Sequence, residues 1–198
     1  MERLETLLGV RPSGFRAPGY TVTDELLETV RACGMSYDSS VFPCPPYYAA
    51  KAARLLSMKL GGKASRAILD TPRVLRAPTV PYRSGRPYWT RGNGLLELPI
   101  QVVGPLRMPF IGTALTLLGP SGARLLARSL IGTEFVNLEL HGLDFLEARD
   151  VPGPLLAVQP DLRVPLARKL DTLAAVIELL RKHAYAIVRL DEAARAFS

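Results

Sequence analysis

The sequence is poor in the residues that build metal centres and disulfide frameworks. Its 198 residues include two cysteines and two histidines, and it contains neither Cys-x-x-Cys nor His-x-x-x-His. A zinc site made from this chain's own histidines is therefore not expected. A disulfide framework is not expected either, and the two cysteines fit a reduced, cytoplasmic compartment. The chain also lacks the Gly-x-x-x-x-Gly-Lys loop and the Gly-x-Ser-x-Gly turn, which argues against P-loop nucleotide hydrolases and serine hydrolases of the α/β type.

Long apolar segments are missing as well. The best candidate for a membrane span, residues 110–131, is interrupted by Gly119-Pro120 and carries two arginines, whereas a span needs about 20 apolar residues. The amino terminus is charged and has no apolar stretch, so no signal peptide is predicted. We therefore expect a cytoplasmic protein that is soluble or, at most, peripheral at the inner membrane face.

Positive charge is concentrated in one part of the chain. The net charge is +7, yet residues 51–91 hold ten Lys or Arg against one acid, Asp70, so the rest of the chain sums to −2. Such a segment indicates contact with phosphate-bearing lipid, a membrane surface or nucleic acid, or else it is a solvated face. The charge pattern leaves these interpretations open.

The spacing of apolar residues predicts an α/β fold. Hydrophobic residues make up 48% of the chain, which at this length predicts a single domain over residues 1–198. Near its start the chain has the order strand, helix, strand, which is typical of a parallel α/β unit. The first strand is entered at Phe15, the helix is capped by Asp24 and ends at Gly34, and the second strand covers residues 35–38. The other expected elements are helices at 2–8, 47–60, 122–130 and 168–183, strands at 95–100, 134–140 and 185–188, and a last helix from Asp191. Residues 43–94, rich in Pro and Arg, are predicted to be a basic insertion in this pattern.

Arg16 is the first candidate site residue. It follows Phe15, so it should stand at the carboxyl end of a strand, with Pro18 and Gly19 fixing the turn behind it. A guanidinium held there can clamp a carboxylate of the substrate or of a catalytic Asp. The alternative is that it ties down a loop through backbone carbonyls.

His141 is the second candidate. It ends the predicted strand 134–140, and an imidazole suits general acid or base work, with Asp144 three residues on to orient it. His183 lies at the carboxyl end of a predicted helix, where it interacts favourably with the helix dipole. Trp89 is a candidate to stack on a sugar or base, or it packs a loop aromatic onto the domain.

These segments resemble the polysaccharide deacetylases of the NodB-homology type, carbohydrate esterase family 4, over most of the chain except the basic insertion. Arg16-Ala17-Pro18 matches the family's Arg-x-Pro motif, and Gly19-Tyr20 stands where many members have Tyr-Gly. Asp38 falls where the next motif has an Asp, without the tryptophan that accompanies it there. Leu138-Glu139-Leu140-His141 matches the Leu-x-x-His motif. The resemblance implies a partial distorted (β/α) barrel.

The resemblance also implies roles for these residues. Arg16 would tether the catalytic base, a backbone amide near Gly19 or Tyr20 would stabilise the oxyanion, and His141 would protonate the leaving amine. The family holds zinc or another divalent metal with one Asp and two His ahead of the Arg-x-Pro motif, and no residue ahead of Arg16 matches them. This chain is therefore expected to hold the acid half of the site without the metal half, as a truncated or inactive relative.

Three functions follow from these observations. The first is hydrolysis of the N-acetyl group of an amino sugar in a polysaccharide or lipid-linked saccharide, with Arg16, Asp38 and His141 catalytic and with Pro18, Gly19, Tyr20, Trp89 and Asp144 binding the substrate. The second is a non-catalytic carbohydrate-binding or scaffold relative. The third is a peripheral binder of anionic membranes through the basic segment. We predict no nucleic-acid partner, and we expect self-association through sheet edges left unpaired in an incomplete barrel.

Overall fold

The computed structural model describes residues 2–62 and 70–197. The chain is a mixed α/β protein that divides into two compact units, one formed by Met1–Val102 with Val188–Ser198 and the other by Val103–Ile187. In chain order the helices are α1 (Glu2–Leu8), α2 (Asp24–Ala32), α3 (Pro45–Leu60), α4 (Gly112–Arg128), α5 (Gly153–Leu156), α6 (Leu166–Lys182) and α7 (Leu190–Ala196). The strands are β1 (Gly14–Phe15), β2 (Tyr37–Asp38), β3 (Tyr82–Ser84), β4 (Arg91–Glu97), β5 (Val102–Val103) and β6 (Met108–Pro109).

Three parallel strands determine which residues meet in the first unit. Its sheet has the order β1-β2-β4-β3, in which β1, β2 and β4 are parallel and β3 is antiparallel to β4. The register pairs Phe15 with Asp38, and Asp38 with Glu97. Because parallel strands present their carboxyl ends at the same edge, the residues at and just after these positions gather there.

The start of α2 differs from the prediction by one residue. Thr23 rather than Asp24 is the capping residue, since its side-chain oxygen accepts the Leu26 N–H at 3.1 Å. Asp24 instead lies in the first turn, where a carboxylate interacts favourably with the helix dipole. Leu27 and Val30 are the buried residues of this helix and join the core of the unit.

Several described residues of the basic segment 43–94 belong to the core of the first unit. Tyr48, Val74 and Tyr88 are buried in the same apolar cluster as α2. The segment also supplies β3, which pairs with β4, and β4 begins at Arg91, within the predicted insertion. This segment therefore contributes sheet and core in addition to charge.

Helices α4 and α6 form the core of the second unit. They pack around buried apolar residues that include Phe110, Leu115 and Val176. Helix α4 begins well before the predicted start at residue 122, and it is kinked at Gly119, whose φ is 70° and ψ is 179°. Pro120 follows the kink, where its ring and its missing N–H interrupt the regular hydrogen bonding before the helix resumes and runs to Arg128.

Two predicted strands are wrong. Residues 134–140 make one isolated parallel bridge, between Ile111 and Glu139, and residues 185–188 form no strand. A strand needs a continuous ladder of backbone hydrogen bonds to a neighbouring strand, and the bridge at Glu139 is the only β-pairing of these two segments among the described residues. Tyr185 is instead anchored through its hydroxyl, which lies 2.8 Å from the carbonyl oxygen of Leu130.

The described strands form a four-stranded sheet and a two-stranded sheet, and no closed barrel is present among them. No described helix has the combination of length and apolar character that a bilayer span requires.

Candidate functional site

Arg16 lies directly after β1, at the carboxyl edge of the parallel strands, as the sequence predicts. It is half-buried, and its Nε donates to the carbonyl oxygen of Ser39 while an Nη donates to the Ser39 hydroxyl, both at 2.7 Å. Ser39 in turn donates its hydroxyl to the carbonyl oxygen of Leu98 at 2.8 Å. These contacts match the interpretation in which Arg16 ties down a loop, and they make Ser39 a site residue that the sequence motifs do not identify.

The turn after Arg16 uses a residue in the left-handed region. Gly19 has a φ of 67°, which glycine adopts without steric cost, and its carbonyl oxygen accepts a hydrogen bond from Lys51 Nζ at 3.0 Å. Pro18 and Gly19 are exposed, whereas the Tyr20 ring is buried. The Tyr20 N–H donates to the carbonyl oxygen of Ala17 at 3.1 Å. This amide is therefore engaged within the turn, and the predicted oxyanion role would require that bond to break.

Asp38 and Glu97 form a buried pair of carboxyl groups at the ends of β2 and β4. The parallel register places them side by side, and their exposed fractions are 0% and 1%. Asp38 Oδ2 accepts the Ser40 N–H at 3.1 Å and Oδ1 accepts the Ser40 hydroxyl at 2.8 Å. Glu97 Oε1 accepts the Val41 N–H at 3.0 Å, and no donor among the described residues gives a hydrogen bond to its buried Oε2.

The burial of this pair affects its protonation. Burial and the neighbouring Asp38 charge raise the pKa of Glu97 well above its ordinary value. Burial raises the pKa of Asp38 too, but hydrogen bonds from Glu97 and Ser40 act in the opposite direction because they stabilise its ionised form. Glu97 is therefore the member of the pair that keeps a proton when an ordinary carboxyl group has lost it.

His141 lies in a second cluster, in the other unit. It precedes the 3-10 helix Gly142–Phe145, and its imidazole Nε2 lies 3.2 Å from Glu139 Oε1. The His141 side chain is 52% exposed and that of Glu139 is 2% exposed. An exposed imidazole beside a buried carboxylate is the geometry of a general acid–base pair. The sequence contains a signal for Glu139, since residues two apart lie on the same side of an extended segment.

Asp144 binds the backbone of His141, whereas the carboxylate that accompanies the imidazole is Glu139. Asp144 Oδ2 accepts the His141 N–H at 2.7 Å, and Oδ1 accepts the Thr113 hydroxyl at 3.1 Å. Asp144 is fully buried, and a Cβ added to Gly112 would overlap its carboxyl group. The sequence predicts that Asp144 orients the His141 imidazole. In the structure Asp144 instead binds the backbone at the start of the turn that carries His141.

A buried ion pair supports the same turn. Lys169 Nζ of α6 donates to Asp161 Oδ2 at 3.0 Å and to the carbonyl oxygen of Leu143 at 3.1 Å. The side chains of Lys169 and Asp161 are 0% and 1% exposed. Since Leu143 follows His141 by two residues, Lys169 links α6 to the His141 turn.

Trp89 packs within the first unit. It is half-buried, lies against the core cluster and meets the Tyr88 ring edge-on at 4.9 Å. This is the packing role that the sequence leaves as an alternative to stacking on a sugar. A groove of about 380 Å³ opens nearby, lined by Tyr88 and by polar and charged side chains that include Asp24, Arg31, Arg86 and Asn93.

The predicted site residues fall into two sets. Arg16 and Asp38, with Pro18, Gly19, Tyr20 and Trp89, belong to the first unit, and Asp38 lies beside the unpredicted Glu97. His141 and Asp144 belong to the second unit, and His141 lies beside the unpredicted Glu139.

Among residues 2–62 and 70–197, no group of three or more His, Cys, Asp or Glu side chains is arranged to hold a metal ion. These residues do not fit the zinc centre that the resemblance implies. Comparison with protein-family models, with curated proteins and with solved structures returned no match.

Proposed function

We propose that this chain is a polysaccharide deacetylase-like protein that hydrolyses the N-acetyl group of an amino sugar in a polysaccharide or lipid-linked saccharide. The observation that carries the proposal is the exposed His141 imidazole, 3.2 Å from the buried carboxylate of Glu139. Further support comes from the chain order of the Arg16-Ala17-Pro18 motif, Asp38 and the Leu138–His141 motif, which is the order of the motifs in that class of enzyme.

The chemistry of the proposal assigns one proton transfer to this chain. Amide hydrolysis adds water across the carbonyl carbon, and the C–N bond breaks when the amine nitrogen receives a proton. The protonated His141 imidazole donates that proton, and the Glu139 carboxylate holds the ring in place and stabilises its positive charge. Arg16 and Asp38 maintain the edge of the parallel strands in the first unit.

The proposal includes a more specific architecture for the first unit. We regard β1, β2 and β4 as three strands of a partial distorted (β/α) barrel of the deacetylase type. Their parallel order and the location of Arg16, Asp38 and Glu97 at their carboxyl ends support this, because barrel enzymes carry their sites at that end.

The test compares the two histidines of the chain. The full chain is incubated with N-acetylglucosamine oligomers, with and without added zinc, and released acetate is measured. We expect His141→Gln to lower the rate by about 100-fold or more, the range of general acid catalysis, and His183→Gln to leave it unchanged because His183 is an exposed helix end. Equal rates for His141→Gln and the unaltered chain would contradict the proposal.

A non-catalytic carbohydrate-binding relative is the second candidate, and the groove beside Tyr88 favours it. Binding of the same oligomers without acetate release, weakened by Tyr88→Ala or Asn93→Ala, would support this candidate over the first. Since Tyr88 is buried in the core cluster, the surface variant Asn93→Ala is the cleaner reagent.

A peripheral membrane binder is the third candidate, and the surface of α3 favours it. Leu56 and Leu60 are 58% and 80% exposed, and the exposed Arg54 and Lys59 lie on the same helix. Apolar and basic side chains together suit an anionic lipid interface. Salt-sensitive sedimentation with vesicles of anionic phospholipid, lost in Leu56→Gln/Leu60→Gln, would support this function.

A further inference from the structure

Glu97 begins a series of hydrogen bonds that ends at the Arg16 turn. Its Oε2 is buried and receives no hydrogen bond from a donor among the described residues, and Asp38 is its neighbour in the register of the parallel strands. Asp38 accepts the Ser40 hydroxyl at 2.8 Å, and the Ser40 oxygen accepts the Ala17 N–H at 2.7 Å. Ala17 follows Arg16 directly, so the series connects the end of β4 to the turn after β1.

The donors and acceptors in this series fix where the proton of the acid pair resides. A backbone N–H can only donate, so the Ser40 oxygen accepts from Ala17 and its own hydrogen points to Asp38. Both Asp38 oxygens then act as acceptors, since Oδ2 also accepts the Ser40 N–H. Asp38 is therefore the carboxylate. Glu97 Oε1 accepts from Val41, which leaves Oε2 as the position that carries the shared proton.

We propose that Glu97 is a positioning residue of the Arg16–Tyr20 turn: as a neutral acid it donates its proton to the Asp38 carboxylate, and Asp38 orients Ser40 to hold Ala17. The same strand end holds the neighbouring residue Ser39, whose hydroxyl donates to the Leu98 carbonyl oxygen and accepts from Arg16. The importance of the turn for hydrolysis rests on the proposed function, whereas the proton on Glu97 does not.

Two titratable groups of the described residues face the acid pair. Arg16 approaches it from the end of β1, and Tyr82 approaches it from β3. The Tyr82 hydroxyl donates a hydrogen bond to the Tyr88 carbonyl oxygen. Burial raises the pKa of Tyr82 above its ordinary value, so Tyr82 stays neutral. Of the groups Arg16, Tyr82, Asp38 and Glu97, Glu97 is therefore the one that changes charge between the pH at which free carboxyl groups ionise and the basic range.

The experiment measures the proton directly in the full chain. The ¹³C shift of the Glu97 carboxyl carbon is followed through a pH titration by NMR and compared with that of a glutamate in a short unstructured peptide. We expect Glu97 to remain protonated as the pH rises past about 4.3, where a free glutamate ionises. A Glu97 signal that titrates together with that of the peptide glutamate would overturn the proposal.

Two variants separate the donated proton from the mere presence of a side chain. Glu97→Gln keeps an amide donor for Asp38 and an acceptor for the Val41 N–H, so Ala17 amide exchange should match the unaltered chain. Glu97→Leu removes both groups, and Ala17 should exchange roughly tenfold faster or more. Equal exchange in the two variants would overturn the positioning role. None of these measurements requires turnover, so a failed acetate assay leaves their outcome intact.

Discussion

Asp38 in the first unit and Asp161 in the second are equally buried, with exposed fractions of 0% and 1%, but they have different neighbours. Asp38 lies beside another acid, Glu97, and the pair lowers its charge by keeping a proton. Asp161 lies 3.0 Å from the ammonium group of Lys169, which balances its charge with a cation. The first arrangement makes stability depend on pH, and the second makes it depend on both side chains being present.

The largest effect should come from breaking the ion pair. Lys169→Met leaves Asp161 as an uncompensated buried charge and removes the donor to the Leu143 carbonyl oxygen. We expect the free energy of unfolding to fall by about 3–5 kcal/mol, measured by urea denaturation. The double variant Lys169→Met/Asp161→Asn should recover part of that loss because the unpaired charge is gone. A single variant as stable as the unaltered chain would break the comparison.

The acid pair should respond to pH instead. Since the folded-state pKa of Glu97 is raised above its unfolded value, the folded chain keeps a proton that the unfolded chain has lost. Its stabilising contribution is full below the unfolded pKa and is lost as the pH rises through the folded pKa. Relative to Glu97→Gln, we expect the free energy of unfolding to fall by about 1.4 kcal/mol per pH unit above pH ~4.5. Parallel curves for the two proteins would show that the pair does not store a proton.

Local patterns along the chain predict most of the helices. Helix α1 ends before Gly9, α6 ends at Lys182 with His183 as its cap, and α7 begins near Asp191, all as the sequence indicates. These features depend on residues close in sequence, namely apolar spacing, caps and breakers. The predicted strands 134–140 and 185–188 fail because a strand also depends on a partner elsewhere in the chain.

The buried face of α6 shows a further limit of pattern reading. Leu170 is one of the apolar residues whose spacing predicts the helix at 168–183, yet Leu170 is 47% exposed while Lys169 and Thr172 are buried. A lysine is ordinarily placed on the solvent side of a helix, and only the location of Asp161 reverses that assignment. The periodicity therefore identifies the helix but not the direction in which it faces.

The sequence predicts the candidate site residues where they depend on local motifs, and it does not predict which residues from distant strands meet. The location of Arg16 at a strand end follows from the local turn residues, and His141 follows from its motif. Glu97 and Asp38 are brought together by the register of two parallel strands, which the sequence does not encode locally. An acid inside the apolar run Leu95–Ile100 is a signal that, in retrospect, marks Glu97 as unusual.

The smallest effect should come from Thr113, which tests how strongly a second buried acid of this unit, Asp144, depends on one hydrogen bond. Thr113→Val removes the hydroxyl donor to Asp144 Oδ1 but keeps the shape of the side chain. Asp144 retains the His141 N–H on Oδ2, so the carboxylate still has a partner. We expect a loss of about 0.5–1.5 kcal/mol, the range of a single hydrogen bond, by urea denaturation. A loss as large as that of Lys169→Met would mean that Asp144 depends on Thr113 as strictly as Asp161 depends on Lys169, even though the His141 N–H still binds Asp144.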